Sequence, residues 1–157
     1  MAAIQEKGGH AEYYAVRVFR DALRTSSLCL GRAIEWAIDE NMDLVNLSLG
    51  TTNPRHAESL GRLVERASAR GVRLVAAKDV DGVPHYPGSL PGVVGVRLDP
   101  KCPRMEYRSV SDGEDVTWYA SGYPRPAPGV PVEHNLQGIS FAVANLTGLL
   151  IRSASKP

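Results

Sequence analysis

The chain has 157 residues, of which 43% are hydrophobic and 22% charged, as expected for one globular domain with a single core. Its formal charge of +1 gives no indication of nucleic acid or an anionic membrane as a partner. No apolar run reaches the length of a membrane span, and the first seven residues lack the basic-then-apolar order of a secretory signal. We therefore expect a cytoplasmic protein.

Metal and cofactor chemistry has little support in the sequence. Cys29 and Cys102 are the only cysteines, and neither lies in a zinc-ligand spacing, so we expect two reduced thiols. The acidic stretch 111–115 does not have the Asp-x-Asp-x-Asp-Gly spacing of a calcium loop, which favours a solvated turn. We expect no metal and no cofactor.

Strand and helix patterns alternate along most of the chain. The strand patterns lie at residues 13–19, 44–50, 72–77 and 93–96. Helix patterns follow the first two, one after a cap region at residues 25–27 and one with Asn53 as cap and Pro54 at its first position. Beyond Pro100 the pattern changes to shorter strands and proline-rich turns, and a buried helix ends the chain. This order predicts an α/β fold, a three-layer sandwich around a mostly parallel sheet, in a single domain over residues 1–157.

The final helix pattern, residues 138–150, is apolar almost all the way round, which is typical of a buried helix. Ser140 lies in its first turn, behind Gly138, where free N–H groups favour developing negative charge. Ser140 therefore fits a nucleophile, although a serine at this place also fits a simple N-cap. The stretch from Gly138 to Ala142 nearly matches the α/β-hydrolase elbow, but residues 141–157 contain no Asp, Glu or His to complete that site.

In one known class of catalytic triad the residues follow in the order Asp, His, Ser, so that the serine comes last, as Ser140 would here. Several further motifs along this chain occur in the order expected for that class. They are Ala15–Phe19, Ala33–Ile38, Val45–Gly50, Leu74–Ala77, Tyr86–Gly88, Pro91–Val96, and Gly138–Ala142 with Gly148. In these motifs the chain resembles the subtilisin-like serine proteases (peptidase S8, subtilases). The resemblance implies a protease that forms an acyl-enzyme on Ser140. Its substrate-binding residues would be Ser48, Leu49, Gly50 and Gly138, with an extended peptide held against Ser48–Gly50.

Two features depart from the family pattern. Asp79 occupies the place of the asparagine that donates to the oxyanion, and loss of such a donor costs about 10² to 10³ in rate. An ionised carboxylate only accepts hydrogen bonds, so support must come from backbone N–H groups, from Lys78 or from a protonated Asp79, unless Asp79 is a loop residue one place out of register. The family's catalytic Asp and His motifs have no match, and none of His10, His56, His85 and His134 has a motif around it.

Residues 1–8 have a helix's ending without a cap, which resembles the tail of the family's histidine helix. We therefore expect the Asp and His to lie outside this chain, in an upstream segment or a partner chain, and the chain alone to be inactive. The alternatives are a pseudoprotease or peptide-binding module without catalysis, and an unrelated flavodoxin-like domain. The last is disfavoured because no Gly-rich phosphate loop follows any predicted strand.

Overall fold

The computed structural model describes residues 1–154. Its α-helices are α1 (Ala2–Gly8), α2 (Ser27–Asp39), α3 (Ala57–Ala69) and α4 (Ile139–Ala154). Its strands are β1 (Leu44–Leu47), β2 (Arg73–Ala77), β3 (Asp79–Val80), β4 (Val83–Pro84), β5 (Val94–Leu98), β6 (Tyr107–Asp112) and β7 (Asp115–Ala120). Short 3-10 helices lie at Pro54–His56 and Val132–His134. None of the helices in this described part is long and apolar enough to cross a membrane.

Five strands form one sheet in the order β1-β2-β5-β7-β6, parallel except for the β6–β7 hairpin. On one face α2 and α3 bury Leu30, Ile34, Leu60 and Val64 against β1 and β2. On the other face α4 packs on β2, β5 and β7 in a second core, and α1 packs on the outside of α4. These layers confirm the predicted three-layer α/β sandwich.

Local sequence explains where the helices begin. The Ser26 side chain accepts a hydrogen bond from the N–H of Cys29, so it caps α2 as the sequence predicts. Asn53 also acts as a cap, but of the 3-10 turn that contains Pro54, and α3 begins only at Ala57. The start of α3 therefore lies later than the sequence predicts, because the turn that contains Pro54 is a 3-10 helix, which is wound more tightly than an α-helix.

The strand predicted at Tyr13–Phe19 is wrong: this segment contains no β-strand. It lies across a groove of about 400 Å³ from β1 and contacts α2 through side chains, with the rings of Tyr14 and Trp36 6.4 Å apart. No described residue adds a backbone hydrogen bond to the outer edge of β1. A strand needs a partner for its ladder, and in this structure the groove separates the segment from the unpaired edge of β1.

Helix α1 approaches α4 closely at Gly148, where an added Cβ would lie 2.7 Å from the carbonyl oxygen of Ile4. The buried Lys7 donates to Glu6, which also pairs with Arg104. Hydrogen bonds and charge from Arg104 and Lys7 lower the pKa of Glu6 to about 2, against the desolvation that opposes them. Burial in turn lowers the pKa of Lys7. This polar cluster anchors the N-terminal helix to the body of the domain.

Candidate active site

A cavity of about 690 Å³ opens where β1 ends and α4 begins. It brings together four residues that the sequence predicted as functional: Ser48, Leu49, Gly50 and Ser140. Such a position, at the carboxyl end of a parallel strand, is where ligands bind in open α/β sheets. The remaining wall comes from the loop before α2, from the end of β2, from His85 and from the first turns of α4.

Ser140 is half-buried in the first turn of α4. The N–H groups of Ile139 and Ser140 have no backbone acceptor among the described residues, because the chain before them is not helical. Gly138 accepts the first hydrogen bond of the helix, from Phe141, and a Cβ at Gly138 would lie 4.0 Å from Ser140 Oγ. The hydroxyl therefore lies beside donors that can stabilise negative charge.

The segment Ser48–Gly50 continues β1 beyond its paired part. No backbone–backbone hydrogen bond from the described residues reaches these three residues, so their N–H and C=O groups can pair with an extended peptide. Gly50 is required for the approach of the next loop, since an added Cβ would lie 2.8 Å from the carbonyl oxygen of Tyr86. Thr51 and Tyr86 then exchange two backbone hydrogen bonds that fix this loop against the strand end.

Polar side chains that sequence analysis did not single out connect β1 to α4. Asn46 Nδ2 donates to Ser48 Oγ over 2.8 Å, and Ser48 Oγ lies 3.4 Å from the carbonyl oxygen of Ser140. Thr147 Oγ1 lies 3.0 Å from Asn46 Oδ1. The sequence did contain a signal for this link: Asn46 lies in an apolar strand and Thr147 in an apolar helix. Because buried polar groups need hydrogen-bond partners, each of these residues predicts a partner nearby.

Asn145 holds a second loop near Ser140. Its buried amide donates to the carbonyl oxygens of Ser121 and Tyr123 over 2.7 and 2.9 Å. Between them, the carbonyl oxygen of Gly122 accepts from the N–H of Gly138 over 3.0 Å. The turn before Ser140 is thus fixed from two directions, by its own helix and by this loop.

Asp79 does not line the cavity that contains Ser140. Its carboxylate binds Arg97 on β5, and this hydrogen bond raises the pKa of Arg97. Lys78, the other side chain considered for the oxyanion, binds Asp115 and Thr117 on β7. This placement gives no support to an oxyanion role for either residue, and the backbone N–H groups at the start of α4 are the donors that lie beside Ser140.

One histidine shares the cavity with Ser140. His85 Nδ1 lies 2.9 Å from the carbonyl oxygen of Val83, an arrangement that leaves Nε2 free of that contact. His56 and His134 belong to the two 3-10 helices, and His10 lies exposed after α1. Within residues 1–154 no histidine forms a hydrogen bond with Ser140. In the described part of the chain, Ser140 therefore has no histidine bonded to its side chain.

The fold and this cavity define a subtilisin-like α/β domain with a serine at the start of its buried helix. Comparison with known proteins agrees. The chain is 29% identical over 146 residues to subtilisin NAT from Bacillus subtilis subsp. natto and 30% identical over 142 residues to subtilisin Savinase from Lederbergia lenta. The chain is thus similar to subtilisin-like serine proteases.

Coverage of these relatives is unequal. Each match takes in 88% of this chain but only 35% of subtilisin NAT and 49% of subtilisin Savinase, so the chain spans half or less of their length. The structure resembles the prenylagaramide maturation protease PagA with a TM-score of 0.58 and 27% identity, over 89% of this chain and 56% of that one. No family model matches the chain.

Proposed function

We propose that this chain forms the nucleophile-bearing and substrate-binding part of a subtilisin-like serine endopeptidase. Ser140 is the acyl-accepting nucleophile, and Ser48–Gly50 pairs with the backbone of an extended peptide. The observation that carries the proposal is the cavity that places Ser140 next to an unpaired strand end. A peptide bound along that strand end passes the hydroxyl, as acyl transfer requires.

The base and its orienting acid come, in this proposal, from polypeptide other than these 157 residues. The support is the absence of any hydrogen bond between Ser140 and a histidine of residues 1–154. A serine hydroxyl without a general base is a weak nucleophile, because nothing accepts its proton during attack. The chain alone should then bind peptide and hydrolyse it poorly. A cytoplasmic location stays a prediction.

A second candidate is a peptide-binding module without catalysis, which the same missing base favours. The two functions differ in what Ser140 contributes. For the protease, Ser140→Ala abolishes turnover by any assembled, base-containing form and leaves peptide affinity unchanged. For the module, no assembled form shows turnover that depends on Ser140.

Peptide binding itself is tested by NMR titration of the ¹⁵N-labelled chain with acetylated hexapeptide amides. The proposal expects the largest amide shifts at residues 48–50 and in the first turn of α4. The three-residue 3-10 helix Pro54–His56, outside the cavity, provides an internal control and should not shift. Shifts confined to other surfaces would contradict the proposed site.

A further inference from the structure

The ionisable side chains that line the cavity are all basic. Two of its lining side chains carry or can carry positive charge, Arg24 and His85, and no aspartate or glutamate lines it. Asp21, the acidic residue of the loop that carries Arg24, is not part of the lining. The chain as a whole is nearly neutral, with a formal charge of +1, so this imbalance is local.

Arg24 is not held in an internal ion pair. Its side chain forms no hydrogen bond or salt bridge with the described residues, whereas Arg62, Arg66, Arg97, Arg104 and Arg108 each pair with a carboxylate. An exposed guanidinium beside a concave surface presents a donor fork that matches a carboxylate. The structure therefore leaves one cation free at the mouth of the candidate active site.

His85 adds a second polar group from the loop after β4. The contact between Nδ1 and the carbonyl oxygen of Val83 orients the ring, and the ring lines the same cavity as Ser48–Gly50. The Cβ of His85 would be 3.8 Å from a Cβ placed on Gly50, so the ring begins directly next to the strand end where peptide would bind. With Nδ1 against the carbonyl oxygen of Val83, Nε2 is the ring nitrogen that remains for a bound peptide.

We propose that this cavity selects extended peptides that carry an acidic side chain, with Arg24 as the specificity-determining residue and His85 as a second contact. This inference rests on the proposed function, because it describes the substrate of the same site. The apolar wall from Phe19 and Leu23 contacts the remainder of the peptide. Opposite charge at a partly enclosed surface raises affinity and rejects basic peptides by repulsion.

The test uses two sets of acetylated hexaalanine amides, one with a single glutamate moved through the six positions and one with glutamine in its place. Affinity for the whole chain is measured by NMR titration at low salt. We expect at least one glutamate peptide to bind about fivefold more tightly than its glutamine counterpart, and the difference to shrink as salt is raised. Arg24→Gln should remove the preference, Arg24→Lys should retain part of it, and the nearby Arg20→Gln should leave it intact.

The outcomes separate this inference from the proposed function. Equal binding of both peptide sets would overturn the acidic preference while leaving peptide binding in place. A glutamate preference that survives Arg24→Gln in a normally melting variant would overturn the assignment to Arg24. If neither set perturbs residues 48–50 or α4, the proposed peptide site fails, and the inference fails with it.

Discussion

The hydroxyl of Ser48 lies 3.4 Å from the carbonyl oxygen of Ser140, 92 positions later in the chain. Through this contact the end of β1 and the first turn of α4 are held at a fixed separation. Asn46 continues this connection, because its side chain bonds both the Ser48 hydroxyl and the hydroxyl of Thr147 on α4. The segment proposed to pair with peptide and the proposed nucleophile are therefore parts of one hydrogen-bonded unit.

This unit predicts energetic coupling between Asn46 and Ser48. We expect Asn46→Ala to lower the free energy of unfolding by about 0.5–1.5 kcal/mol, since it removes the contacts with Ser48 and Thr147, while the Thr147 hydroxyl keeps the carbonyl oxygen of Val143 as an acceptor. Ser48→Ala, at an exposed position, should cost about 0.5–1.5 kcal/mol. Urea unfolding of both single variants and the double variant should give a coupling of about 0.5 kcal/mol or more. Strict additivity would show that the two side chains act independently.

Alanine substitution at two glycines, the crowded Gly50 and the unobstructed Gly61, tests the loop packing beside the site. Gly50→Ala would bring a methyl group to 2.8 Å from the carbonyl oxygen of Tyr86, so the loop with His85 must shift. We expect a loss of about 1–3 kcal/mol of stability and weaker peptide binding. Gly61→Ala in α3 meets open space and should raise stability by about 0.5–1 kcal/mol. Thermal melting of the two variants should shift in opposite directions; equal shifts would contradict the close approach at Gly50.

Acid stability should depend on Glu6. Its pKa falls from the ordinary 4.5 to about 2 in the folded chain, mainly because Arg104 donates to it. The unfolded chain binds a proton at Glu6 at higher pH than the folded chain does, so the stabilisation is complete above pH 4.5 and is lost as the pH falls toward 2. Urea unfolding at several pH values should show a weaker acid dependence for Glu6→Gln. An unchanged slope between pH 4.5 and 2 would remove Glu6 from this role.

The outer edge of β1 predicts an alternating pattern of amide exchange. The N–H of Arg73 donates to the carbonyl oxygen of Asp43, which directs the backbone groups of Val45 and Leu47 toward β2 and those of Leu44 and Asn46 away from it. We expect the amides of Leu44 and Asn46 to exchange much faster than those of Val45 and Leu47. The apolar groove beside them should also bind a hydrophobic dye or promote association of chains.

Size-exclusion chromatography and dye fluorescence accompany the exchange measurement. Equal protection of all four β1 amides in a monomeric, dye-silent chain would mean that the groove closes by itself. In that case residues 13–19 would pair with β1 in solution, contrary to the structure.

Local pattern was enough to predict most of the fold. The apolar spacing of Leu30, Ile34 and Ile38 and the run Leu74–Ala77 each reflect one buried face, and the structure confirms a helix and a parallel strand there. The strand prediction for residues 13–19 was wrong because a strand also depends on a neighbouring strand, which its own residues do not encode. Amino-acid type alone could not give the direction of Asp79, which depends on the position of Arg97 on another strand.

The candidate site likewise contains residues that the sequence predicted and residues that it did not. The motif around Ser140 and the strand end at Ser48–Gly50 were evident from the order of motifs, and the structure places both around one cavity. Arg24 and His85 were not evident, because both lie in loops whose path across the cavity is set by tertiary contacts, such as the pairing of Thr51 with Tyr86.

Labelling with a fluorophosphonate probe, followed by peptide mapping, tests the central claim that Ser140 is a nucleophile whose base lies outside this chain. We predict slow labelling of the chain alone, unaffected by His85→Gln. Added imidazole, a diffusible base, should increase modification at Ser140 in proportion to its concentration, and Ser140→Ala should show no such increase. Labelling of Ser140 at the rate of an intact serine protease without imidazole, or an imidazole effect that does not map to Ser140, would contradict the account.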